Sequence, residues 1–210
     1  MTILYTLSGI LLLVIVIIVV WRLISDRRSL PCPAWLGWMV EVDNPVFRND
    51  SAKVIISHLA LSPGQRVLDY GCGPGRLTLP LARALGPQGQ VTALDLQAKM
   101  LEKVRAKAQA QNLENIHYLQ ASAGDARLTP NFYDAALLVT VLGELPDQPR
   151  ALGEIHACLK PGGLLSITEL IPDPHFQKQS KVRALAAAVG FAESECFGRP
   201  WSYTLNFKKN

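Results

Sequence analysis

The chain has 210 residues, about half of them hydrophobic, which suits one medium-sized domain with an extra segment. Its formal net charge of +4 comes without a basic run of the kind that tracks phosphates, which argues against nucleic acid as a partner. Four cysteines, Cys32, Cys72, Cys158 and Cys196, lie far apart with no C-x-x-C pair. That argues against a disulfide framework or a bound metal and suits a reducing compartment.

The first segment, Thr2 to Trp21, carries no charge and is mostly Ile, Leu and Val. About 20 apolar residues cross a ~30 Å hydrocarbon core as a helix. A cleaved signal peptide would need a basic start, a shorter apolar run and a small-residue cleavage site. The expectation is therefore one transmembrane helix over residues 1–24, with the lipid bilayer contacted through residues 3–21. Arg22, Arg27 and Arg28 follow it and place the next domain in the cytoplasm.

Residues 25–50 read as a connector rich in Pro and Trp. Trp35, Trp38, Met39 and Phe47 either close over a substrate at the membrane interface or cap the domain behind them. The domain itself is expected over residues 51–210. It opens with a short helix, Ser51–Ala60, on which His58 reads as structural.

Strands and helices then alternate. Arg66–Tyr70 is a buried strand running into a glycine loop (Gly71, Gly73, Gly75) and a helix, Leu77–Leu85, that stops at Gly86-Pro87. Gln90–Asp95 is the second strand and Gln97–Gln111 the second helix of this series. Asn115–Leu119 is a third strand, followed by a loop to Pro130. Asp134–Leu142 is nearly all apolar, as expected of a strand buried on both faces of a parallel sheet. Helix Arg150–Leu159 ends at Lys160-Pro-Gly-Gly163. Strand Leu164–Leu170, helix Gln177–Val189 and an antiparallel pair, Phe191–Phe197 with Ser202–Phe207, complete the chain. The alternation predicts an α/β fold, a doubly wound and mostly parallel sheet of seven strands.

The stretch Arg66-Val-Leu-Asp-Tyr-Gly-Cys-Gly-Pro-Gly-Arg-Leu-Thr78 carries the chemistry. Glycines let the backbone approach a ligand, and free amides at the helix start face it. The spacing is G-x-G-x-G, not the G-x-G-x-x-G of dinucleotide sites. Asp69, directly before the loop, favours a cationic group over a pyrophosphate. The segment resembles motif I of the class I S-adenosylmethionine-dependent methyltransferases, close to V-L-D-x-G-C-G-x-G, and the resemblance extends over roughly Ser51 to Lys208.

The resemblance implies a Rossmann-like methyltransferase fold with the closing hairpin at one sheet edge and S-adenosyl-L-methionine as cofactor. Asp69, Gly71 and Gly73 would face its methionine part, with Tyr70 in the same cofactor-binding stretch; Gly75 serves helix packing. Asp95 lies about 20 residues past the loop, where a carboxylate accepts a ribose diol; its alternative is a helix cap. Asp125 and the Ala126 amide would meet the adenine amino group, the alternative being a loop-capping aspartate. Leu96 and Met100 flank the adenine or belong to the core. Thr140 and Leu142 would end the fourth strand beside the sulfonium.

Catalytic candidates are Glu144, in Leu142-Gly-Glu-Leu-Pro146, and Glu169, at the end of the fifth strand; His175 and Tyr70 come second. Glu144 reads equally well as a charge at a helix entry. Many relatives carry a histidine near Gly143, and this chain does not. Among related enzymes the quinone-biosynthesis and phospholipid methyltransferases look nearest. With the apolar N-terminus, this points to a small lipophilic acceptor, a membrane lipid or quinone precursor. A protein or a soluble small molecule is the alternative acceptor. A membrane protein that binds the cofactor without catalysis is a reading of another class. An NAD-dependent oxidoreductase would need a hydride-transfer constellation, and no Tyr-x-x-x-Lys pair exists.

Overall fold

The computed structural model describes residues 5, 6, 9, 16, 41, 51–125 and 128–210. In chain order these form α1 (Ala52–His58), β1 (Arg66–Tyr70), α2 (Thr78–Leu85), β2 (Gln90–Asp95), α3 (Ala98–Ala110), β3 (Ile116–Gln120) and β4 (Tyr133–Val139). A 3-10 turn (Leu142–Glu144), α4 (Gln148–Cys158), β5 (Leu159–Leu170), α5 (Gln179–Ala188), β6 (Phe191–Arg199) and β7 (Ser202–Lys209) follow.

The seven strands form one sheet in the order β3-β2-β1-β4-β5-β7-β6. β1 to β5 are parallel, and β7 runs antiparallel between β5 and β6. Successive side chains of the central strands enter two separate cores. Val67, Val91, Ala93 and Leu137 pack with Leu81, Leu85 and Val104 under α2 and α3. Leu68, Leu94, Leu138 and Ile167 pack with Leu152, Ile155 and Val182 under α4 and α5. Burial on both faces is why these strands read as unbroken apolar runs. Edge strand β6 is mostly exposed and carries Glu193, Glu195 and Arg199, charges that discourage further strand addition.

The chain goes from β1 outward to β2 and β3, then returns to place β4 on the other side of β1. The switch point of the sheet therefore lies between the carboxyl ends of β1 and β4. His58 lies flat on Phe197, ring centroids 3.8 Å apart, and ties α1 to the hairpin.

Three details differ from the sequence expectation. β4 stops at Val139, and Leu142 instead opens the 3-10 turn. β5 begins at Leu159 and absorbs Lys160–Gly163, because Leu159 pairs with Tyr133 across a register shift. Lys160 Nζ bonds Asp134 Oδ1 at 2.5 Å and fixes that irregular start.

The third difference is a correction. Among the described residues no helix is long and apolar enough to cross a membrane. A span needs about 20 apolar residues, and the longest of α1 to α5 is the amphipathic, 13-residue α3. The expected transmembrane helix and the single-pass, cytoplasm-facing placement are therefore withdrawn. Most of that segment, and the connector tryptophans Trp35 and Trp38 with Met39 and Phe47, lie outside the described residues.

Candidate active site

The glycine loop leaves β1 at the switch point. Gly71, at φ +80°, has its amide on Leu94 O at 2.8 Å, and a Cβ there would meet the Val141 methyls at 2.6–2.7 Å. Only glycine fits so close to the segment after β4. Gly73, at φ +51°, has open space where a Cβ would point. A Cβ at Gly75 would instead press on Val104 of α3, the packing role expected of it.

Two buried carboxylates frame this loop. Asp95 ends β2 and is 8% exposed; its Oδ2 accepts from the Gly73 amide at 2.9 Å and its Oδ1 from the Gln97 amide at 2.8 Å. It thus holds both the residue that leads into α3 and the glycine loop, with lone pairs left over. Burial raises its pKa, and the two amides oppose that rise. Asp69 is 4% exposed, and its Oδ2 accepts from Thr78 Oγ1 at 2.6 Å. Burial pushes its carboxyl up to about 6, so it remains ionised at neutral pH beneath the loop. Its contact with Thr78 anchors the start of α2.

Tyr70 is turned to the other face. Its hydroxyl donates to Glu154 Oε2 at 3.0 Å and accepts from the Gly124 amide at 2.8 Å. Glu154 Oε2 takes the same Gly124 amide at 3.1 Å. This triangle fixes the β3–β4 loop against α4 through the Tyr70 hydroxyl. Asp125 sits on that loop with its carboxylate engaged by Arg150 of α4. Both side chains are more than half exposed, and such a pair is weak and easily exchanged. Ala126 lies outside the described residues. Leu96 is 49% exposed directly after Asp95, an apolar side chain standing free at a strand end, whereas Met100 is buried in the core.

On the far side of the switch point, Thr140 adopts φ +54°, rare for a β-branched residue, and its amide reaches Thr168 O at 2.9 Å. Leu142 is fully buried and Glu144 half-buried in the 3-10 turn. Glu169 ends β5 at 1% exposure, with Oε2 accepting from the Gln177 amide at 2.9 Å. The loop that carries Gln177 also carries His175, whose carbonyl would collide with any Cβ at Gly143. The partners Glu154, Thr78 and Gln177 leave no local mark in the sequence: the first two act from neighbouring helices and the third from the loop after β5. Lys107 of α3 donates to Pro74 O of the glycine loop at 3.0 Å and pairs with Glu41 at 2.6 Å.

The site therefore joins an open glycine cradle, a capping carboxylate at the next strand end, an exposed apolar side chain and an acidic far wall. An S-adenosyl cofactor fits the space beside Gly73 and the spare lone pairs of Asp95. Comparison with known proteins agrees. Residues 67–163 match the family model of a methyltransferase domain. Over 118 residues the chain is 36% identical to a 2-phytyl-1,4-naphtoquinone methyltransferase of Nostoc sp., covering 56% of this chain and 52% of that one. Over 121 residues it is 36% identical to the ubiquinone/menaquinone biosynthesis C-methyltransferase UbiE of Vibrio parahaemolyticus, covering 57% and 46%. The chain thus spans about half the length of these curated relatives. The fold matches a SAM-dependent methyltransferase from Aquifex aeolicus at TM-score 0.76 and 19% identity, covering 85% of this chain and all of that one. Residues 67–163 are thus similar to a methyltransferase domain, and the chain has the fold of that SAM-dependent methyltransferase.

Proposed function

We propose that this protein transfers a methyl group from S-adenosyl-L-methionine to a small, lipophilic acceptor of the quinone-precursor type. The observation that carries the reading is the cradle at the β1/β4 switch point, where Gly73 faces open space and its amide bonds the Asp95 carboxylate. The acceptor class is supported by the names of the relatives, which act on naphthoquinone and on ubiquinone or menaquinone precursors.

Each residue takes a role that its position supports. The Gly71–Gly73 backbone receives the methionine part, and the ionised Asp69 beneath it favours the ammonium and sulfonium charges. Asp95 accepts the ribose diol while keeping its two amide bonds. Leu96 covers one face of the adenine, and Asp125, released from Arg150, takes the adenine amino group. Thr140 sits beside the reacting centre, and its backbone conformation sets the direction in which the β4 end faces the acceptor.

When bound, the cofactor would supply a methyl carbon on a positively charged sulfur; the acceptor would bond to that carbon, and the sulfide would leave with the C–S pair. The protein's own task is alignment and exclusion of water, worth up to about 7–11 kcal/mol in favourable cases. Glu144 and Glu169, with His175 beside Gly143, form the acceptor wall. The test is calorimetry with S-adenosylmethionine, followed by mass spectrometry of reduced 2-phytyl-1,4-naphthoquinone incubated with protein and cofactor. A product heavier by about 14 Da supports the reading. Cofactor binding without that product refutes the acceptor class.

A further inference from the structure

Glu169 holds an oxygen that the fold leaves unused. The residue is 1% exposed, and its Oε2 is satisfied by the Gln177 amide. Its Oε1 is buried and has no hydrogen-bond partner. A buried polar atom without a partner costs stability, so it calls for an explanation, and a ligand atom is one. The position suits a ligand: the carboxyl end of β5, next to β4, beside the 3-10 turn and the His175 loop.

The protonation state follows from the surroundings. Glu169 faces Glu144 of the 3-10 turn, Asp173 of the next loop, Lys181 of α5 and Tyr203 of β7, with His175 on the same loop. Burial first, then the two acids, push its carboxyl up to about 8, against the Gln177 amide and Lys181. At neutral pH it is therefore a neutral acid. Oε2 is already accepting a hydrogen from Gln177, so the acid's proton resides on Oε1, the oxygen without a partner. Protonated there, Oε1 is a buried O–H donor without a partner in the protein.

We propose that Glu169, as the neutral acid, donates Oε1–H to an oxygen of the acceptor, and that acceptors carry a carbonyl or ionised hydroxyl next to the carbon that is methylated. A carboxylate at this place would repel an oxyanion, whereas a neutral donor holds it and favours its ionised form. In the transfer, the ring carbon beside the oxyanion forms the bond to the methyl carbon, and the C–S electron pair goes to sulfur. The ring proton then leaves to solvent, which restores the aromatic ring as an oxyanion that takes up a solvent proton on release. Glu169 keeps its proton throughout. This inference rests on the quinone-precursor reading and narrows it to acceptors with an oxygen at that position.

The test uses the full chain, S-adenosylmethionine and 2-phytyl-1,4-naphthoquinone reduced with dithionite, comparing wild type, Glu169→Gln and Glu169→Ala from pH 6 to pH 9. Wild-type turnover should fall above about pH 8, where Glu169 loses its proton. Glu169→Gln keeps an N–H donor at the same place and an oxygen for Gln177; it should stay within about tenfold of wild type and lose that fall. Glu169→Ala should lose about 100-fold or more in turnover, the effect of removing one donor to an oxyanion, with unchanged cofactor affinity. Persistence of the fall in Glu169→Gln, or an alanine variant as active as wild type, overturns the donor role alone. A wild type that binds cofactor and leaves the naphthohydroquinone unmethylated overturns the acceptor reading, and this inference with it.

Discussion

Asp95 performs three tasks with one carboxylate. It bonds the amide of Gln97 just before α3, ties down Gly73, and keeps lone pairs for the proposed ribose diol. Substitution to alanine releases both amides and removes the acceptor of the diol. Calorimetry should show S-adenosylmethionine affinity weaker by about 1–3 kcal/mol, with a smaller loss of stability. Equal affinity in Asp95→Ala would place the ribose elsewhere. Glu169 sets a pH dependence that stability measurements can read without any ligand. Its folded-state pKa, about 8, lies above the ordinary 4.5 because burial disfavours the charge. Between those values the folded protein holds a proton that the unfolded chain has lost, so stability falls as pH rises through the window. Glu169→Gln cannot ionise, and its denaturation free energy should fall less steeply between pH 5 and pH 8, by on the order of a few kcal/mol. Parallel curves for the two proteins would mean that Glu169 is ionised in the fold.

At the scale of elements, β1 with its glycine loop and α2 was the most legible part, because burial on two faces, tight turns and a helix start each leave a local mark. Asp95 at the end of β2 was legible for the same reason. The partners that hold these elements were not. Tyr70 in the motif suggested a ligand contact, but its hydroxyl meets Glu154, 84 positions on, and the Gly124 amide. Asp125 likewise meets Arg150, which no local pattern couples to it. Pairings across the sheet depend on how strands are ordered, and strand order leaves no signal at a single position. The N-terminal stretch shows the opposite failure: its composition was read as a membrane span, and no described helix has the length or apolarity for one. The Tyr70 triangle has a testable consequence. Tyr70→Phe removes two of the three contacts around Gly124 and leaves only the 3.1 Å bond to Glu154. Stability should fall by about 1 kcal/mol, and hydrogen exchange of the β3–β4 loop should quicken while β1 stays protected. Uniform quickening across the sheet would make Tyr70 a core residue without a specific hold on that loop.

For the whole molecule, the order β3-β2-β1-β4-β5-β7-β6 decides where chemistry takes place. Two halves wind away from the β1/β4 boundary, and their loops part above it. The strands proposed to hold the cofactor, β1, β2 and β3, lie on one side; those proposed to face the acceptor, β4 and β5, lie on the other. A ligand spanning the boundary touches both halves and binds only the folded state, so it must stabilise the molecule as a unit. At a ligand concentration of about 100 times Kd the gain is roughly 2.7 kcal/mol. For a chain of this size, each kcal/mol moves the melting temperature by about 2–4 °C. S-adenosylmethionine should therefore raise the Tm by roughly 5–11 °C. NAD at the same concentration should raise it little, because Asp69 and Asp95 repel a pyrophosphate at a loop that lacks the G-x-G-x-x-G spacing. Asp95→Ala should shrink the shift with S-adenosylmethionine while Tyr70→Phe mostly preserves it, since the first touches the ligand and the second only its support. An equal shift with NAD would return the oxidoreductase reading to contention. No shift with either would leave the cradle without its ligand.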